Sequence, residues 1–160
     1  VGVLPVVAHE FMHQVQYELA ADTPPRLRAD GTLLLGPEWM VEGSAEFLEL
    51  QFTSTPTLVE GPAFFNLQTP ARRSRKTLED LRENGSVASR SDYHVARFAA
   101  LLLAQKHGGR ALFDYFEALG RFGDQGLAFQ SVFGEDMATF EARFEDLRRD
   151  YGAASAYGRE

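Results

Sequence analysis

Two histidines four residues apart, in the run His9-Glu10-Phe11-Met12-His13, constrain this chain more than any other feature. On a helix, residues at that spacing lie one above the other on one face, so both imidazoles can address a single point with Glu10 beside them. Neutral imidazole is the commonest zinc ligand. A catalytic zinc takes three protein ligands, one of which can be a carboxylate, and leaves the fourth position to water. Glu42, in the run Trp39-Met40-Val41-Glu42-Gly43-Ser44-Ala45-Glu46, supplies that carboxylate from a second amphipathic segment. A Zn2+ site made of His9, His13 and Glu42 is expected, and it requires two helices distant in sequence to meet.

The 160 residues, 44% of them hydrophobic and 24% charged, suffice for one domain with a core, and a second complete one is not expected. With no cysteine, a disulfide framework and thiolate ligands are both ruled out, so any metal is held by nitrogen and oxygen, and the compartment stays undetermined. The net charge of −7, with no basic cluster beyond Arg72-Arg73-Ser74-Arg75-Lys76, argues against nucleic acid as the principal partner. That short run reads as a solvated loop. No stretch approaches the roughly 18 consecutive apolar residues of a membrane span, which points to a soluble chain. The opening Val1-Gly2-Val3-Leu4-Pro5-Val6-Val7-Ala8 has neither the basic flank nor the cleavage site of a signal peptide. An active site needs walls on several sides, and nothing ahead of His9 supplies one. Residues 1–160 are therefore expected to form a single domain that is a fragment of a longer protein.

Pro5 suits the first turn of a helix, and Val6, Val7, Phe11, Val15 and Leu19 recur near helical spacing, giving a helix over residues 5–20. Asp22-Thr23-Pro24-Pro25 stops it, and the run Leu33-Leu34-Leu35 reads as a brief strand or a buried loop. Trp39, Val41, Ala45, Leu48 and Phe52 mark a second helix over 38–52. Residues 53–90, richer in Pro, Gly, Ser and Thr, read mostly as loop, with one short helix over 77–82 capped by Thr77, Asp80 standing three residues on. A nearly all-apolar core helix over 93–107 ends at Gly108-Gly109. Amphipathic helices are expected over 110–119, 124–133 and 137–151. The expected fold is mainly α, a helical bundle with little or no sheet.

Glu10, one residue from His9 and three from His13, can face the open coordination position, take a proton from a zinc-polarised water and pass it to the leaving amine. Glu46 lies about one helical turn after Glu42 and is placed to accept the second N–H of a ligating imidazole, with a surface glutamate as the competing reading. Gly43 either admits a close backbone or is an ordinary helix glycine. Tyr93, opening the core helix, can donate a hydrogen bond to the oxyanion of a tetrahedral intermediate, against the reading of a buried or capping tyrosine. His94 points about 100° away from it and reads as structural or exposed. His107, at a helix end where the dipole favours a partly positive imidazole, receives no catalytic role. Phe64-Phe65 reads as core packing rather than as the lining of a substrate pocket.

Taken together, these residues resemble the gluzincin metallopeptidases. The likeness is closer to the bacterial peptidase MA-like domains and to the catalytic domains of zinc aminopeptidases related to leukotriene A4 hydrolase. His9-Glu10-Phe11-Met12-His13 is similar to their zinc helix, and Trp39-Met40-Val41-Glu42-Gly43 to their third-ligand helix. Tyr93-His94-Val95-Ala96-Arg97-Phe98 resembles the segment that opens with their transition-state tyrosine. His107-Gly108-Gly109-Arg110-Ala111-Leu112 and Phe133-Gly134-Glu135-Asp136-Met137 resemble the helical subdomain that follows the site. The resemblance spans nearly the whole chain and implies Zn2+, a peptide or protein substrate, and hydrolysis of peptide bonds. Two departures stand out. The longer spacer between His13 and Glu42 implies an extra loop over 24–36. The β-subdomain whose edge strand binds substrate, and the aminopeptidases' glycine-rich exopeptidase signature, are both absent from these residues. The expected activity is that of a zinc metallopeptidase, endo- or exopeptidase being open. The alternative is a metallopeptidase-like domain that binds zinc or a partner protein without turnover.

Overall fold

The most extensively buried segment is the centre of the molecule. In the computed structural model, which describes residues 3–21, 35–53, 62–83 and 85–159, helix α4 (Arg90–His107) buries Val95, Ala96, Phe98 and every residue from 99 to 104. Around it stand α1 (Val3–Leu19), α2 (Glu38–Thr53), α3 (Pro62–Arg73), α5 (Ala111–Phe122), α6 (Gln125–Phe133), α7 (Met137–Leu147) and α8 (Tyr151–Tyr157), with one 3-10 turn at Glu79–Leu81. Among the described residues there is no strand, so the fold is mainly α, as the periodicity implies. No helix among them is long and apolar enough to cross a membrane.

The helix ends follow from local chemistry. Helix α4 starts three residues before its apolar run because Ser89 and Asp92 form a reciprocal capping box, the Ser89 hydroxyl accepting from the Asp92 N–H and the Asp92 carboxylate from the Ser89 N–H. Thr77 and Asp80 exchange the same kind of bonds at the 3-10 turn. Asp124, Asp136 and Asp150 each accept a backbone N–H three residues on, at the starts of α6, α7 and α8.

Two expectations are corrected. Within the stretch read as loop, α3 forms because Phe64, Gln68 and Ala71 share one buried face, and Gln68 Nε2 donates to the Leu147 carbonyl at 2.9 Å. Its Pro70 falls in the last turn. The helix read as continuous over 137–151 is two. Arg148 is buried, its guanidinium donates to the carbonyls of Lys76 at 2.9 Å and Ala71 at 3.3 Å, and Asp150 caps a fresh helix. The basic run is likewise not wholly solvated, since Lys76 Nζ reaches Ser86 O at 2.8 Å and Asp92 Oδ2 at 3.1 Å. Phe64 packs in the core against Phe98, whereas Phe65 is exposed. The run at Leu33 and Leu34, and most of the expected loop over 24–36, lie outside the described residues.

Helix α2 is held on both sides. At its start, fully buried Trp39 packs on Phe129 and Phe140 and donates its indole N–H to Glu141 at 2.9 Å, a carboxylate that Arg82 also grips. One turn on, Gly43 faces α4 so closely that a Cβ there would sit 2.4 Å from the Ala96 carbonyl oxygen. The glycine thus serves a close backbone approach. Because the clash is with main chain, Gly43→Ala is expected to destabilise the fold by about 2 kcal/mol or more, a drop of roughly 4–8 °C in a thermal melt.

Candidate metal centre

Helices α1 and α2 pack side by side, and the first consequence is that His9, His13 and Glu42 converge. His9 Nε2 lies 3.4 Å and His13 Nε2 3.8 Å from Glu42 Oε2, and one ligand atom from each of the three residues fits within 4.8 Å of the others. Two atoms each about 2.1 Å from a tetrahedral zinc stand about 3.4 Å apart, so these separations suit one ion with small adjustments. The imidazole rings cross nearly edge to face, their centroids 5.0 Å apart.

The donor set is oriented by a residue that sequence reasoning overlooked. Gln16, fully buried, donates from Nε2 to the Val41 carbonyl and to Ser44 Oγ, each at 2.8 Å. Ser44 Oγ places its own proton on the Met40 carbonyl at 2.7 Å, so towards Gln16 it accepts. With both amide hydrogens used, Gln16 Oε1 can only accept, and the partner at 2.9 Å is His13 Nδ1, which therefore carries the proton. The Nε2 lone pair of a neutral His13 is left facing Glu42. The legible signal was the spacing: Gln16 stands three residues after His13, on the face that meets α2.

Around His9 the acids are denser than expected. Glu46 Oε1 comes within 3.9 Å of His9 Nδ1, beyond hydrogen-bond reach, and its other oxygen is bound by Arg97. Glu49, not singled out in the sequence, is closer, its Oε2 3.4 Å from the same nitrogen. His9 Nδ1 is buried without a hydrogen bond. Burial alone lowers the His9 pKa, but the bond to Glu42 and the charges of Glu42, Glu49 and Glu10 outweigh it, so the value is raised.

A cleft of about 530 Å³ opens beside these residues, lined by His9, Glu10, Glu46 and Glu49 on one side and Arg90, Tyr93, His94 and Arg97 on the other. Glu10 is exposed within it. Burial, the charges of Glu42, Glu38 and Glu10, and a bond to Glu42 raise the Tyr93 pKa, so its hydroxyl keeps its proton. His94, read as structural or exposed, is half-buried and borders this cleft. His107 departs from the dipole argument: burial, then the neighbouring Lys106 charge, lower its pKa, and its ring packs on Phe133.

Compared with protein-family models, with curated proteins and with solved structures, the chain matches none.

The raised His9 pKa has a definite pH signature in the metal-free protein. Its stabilising contribution is fully present below the unfolded value of about 6.5 and is lost as pH rises through the higher folded value. Thermal melts from about pH 6 to about pH 9 should show this loss in the native chain, and His9→Gln should flatten that part of the profile.

Proposed function

We propose that this chain is a zinc-dependent metallopeptidase of the gluzincin kind, hydrolysing peptide bonds with Glu10 as general base. The observation that carries the reading is the convergence of His9, His13 and Glu42 within 4.8 Å from two helices far apart in sequence. These residues would hold the ion through two imidazole nitrogens and a carboxylate oxygen, the ligand class of catalytic zinc. Zinc bound there supplies a Lewis acid that brings the pKa of a water towards neutrality.

The remaining steps belong to the protein's own side chains. Glu10 borders the cleft beside His9, where its carboxylate takes the proton of the attacking water and returns it to the departing amine. Tyr93, protonated because burial and nearby carboxylates disfavour its anion, donates a hydrogen bond to the oxyanion that develops on the scissile carbonyl. Gln16 fixes His13 in the tautomer a ligand needs. The substrate is a peptide or protein lying in the cleft between α1 and α4.

Three variants test the reading. Glu10→Gln should retain zinc, measured by elemental analysis, and lose about 100- to 10,000-fold in kcat/KM on a peptide library. His9→Ala should lose the zinc itself. Full zinc occupancy with no cleavage by the native chain would leave only a zinc-binding or protein-interaction domain, and no uptake of supplied zinc would remove both readings. Gln16→Leu should weaken zinc affinity about 10- to 100-fold in a chelator competition while every ligand remains.

A further inference from the structure

We propose that the α4 wall of the cleft binds a carboxylate of the substrate peptide, an inference that rests on the peptidase reading. Arg90, His94 and Arg97 stand four and three residues apart, so they form one stripe along the helix. All three line the cleft that His9, Glu10 and Tyr93 also line. In a chain with a net charge of −7, this is a local concentration of nitrogen donors at the site.

Their commitments differ. Arg97 is engaged by Glu46, which neutralises it. Arg90 is exposed and makes no ion pair among the described residues. Half-buried His94 stands between them, and burial together with the Arg90 charge holds its pKa below the ordinary value, so near neutral pH its ring is an uncharged donor. Arg90 is also the first residue of α4, an 18-residue helix whose N-terminal end favours an anion. The one acid of that first turn, Asp92, does not border the cleft. It is buried and held by Lys76 and the Ser89 N–H.

The cleft is therefore divided. Its carboxylates, Glu10, Glu46 and Glu49, come from α1 and α2 and surround His9, while its uncommitted cation comes from α4. A peptide carboxylate against Arg90, with His94 as a second donor, gains charge-assisted bonds that an amide of the same shape does not. The carboxylate has two sources, an Asp or Glu side chain or the chain's own C-terminus.

The test uses the full chain carrying Glu10→Gln, so that peptides bind without turnover, and four fluorescein-labelled peptides of one sequence. They pair a central Glu with Gln, and a free C-terminal acid with an amide. In fluorescence anisotropy at low salt, at least one acid form should bind about 10-fold more tightly than its amide. A preference for the Glu peptide assigns the side chain, and a preference for the free acid assigns the C-terminus. Arg90→Gln, an exposed substitution, should reduce the difference to about 2-fold or less. Equal binding of all four, no binding of any, or a preference that survives Arg90→Gln overturns the proposal. Run on metal-free and zinc-loaded protein, the comparison stands apart from the peptidase reading, which zinc uptake and native-chain cleavage decide separately.

Discussion

The packing of α2 between α1 and α4 depends on the missing side chain of Gly43. With 2.4 Å between a hypothetical Cβ and the Ala96 carbonyl oxygen, the two backbones touch, and nothing larger than hydrogen fits. That contact sets where Glu42 and Glu46, its neighbours on α2, stand relative to Tyr93 and Arg97 on α4. A bulkier residue would push α2 outward and shift every polar group of the site at once, since the same short helix carries Glu42, Glu46 and Glu49. A packing detail thereby becomes a constraint on chemistry.

On its other flank the contact of α2 with α1 includes a buried polar network, and polar groups in a core interface need a reason. Burying an amide costs free energy unless each of its hydrogen bonds is made, and Gln16 makes them all. A leucine there would pack as well, but it would fix neither the His13 proton nor the register of α1 against Val41, the residue before Glu42. The buried network therefore specifies one alignment of the two helices, and that alignment is the one in which the imidazoles face the carboxylate.

The fold class and the pairing of His9 with His13 were legible in the sequence because both rest on local rules, apolar spacing of 3.6 residues and ligands one turn apart, whereas Glu42 joins them only through the packing of α1 on α2. What escaped was set by tertiary partners. A composition rich in Pro, Gly, Ser and Thr hid α3, whose burial is decided by Phe98 and Leu147 on other helices. The break at Arg148 could not be foreseen, because the carbonyls that bind its guanidinium come from residues 71 and 76. The start of α4 is encoded locally, since Ser89 and Asp92 have the spacing of a capping box three residues ahead of the position from which the apolar run is read. Glu46 illustrates the remaining gap. Its spacing from Glu42 placed it beside the imidazoles, yet only the fold shows that Arg97 takes one of its oxygens.

That Arg97–Glu46 pair bears on how so many acids coexist. Glu10, Glu42, Glu46 and Glu49 all approach His9, and without compensation their repulsion would favour protonation or opening of the helix pair. Arg97, itself mostly buried and with a pKa lowered by burial, neutralises one of them from α4. In the metal-free chain the surrounding carboxylates raise the His9 pKa. A divalent cation on His9, His13 and Glu42 would bring two positive charges to the cluster, so metal uptake and relief of the acid cluster would be one event.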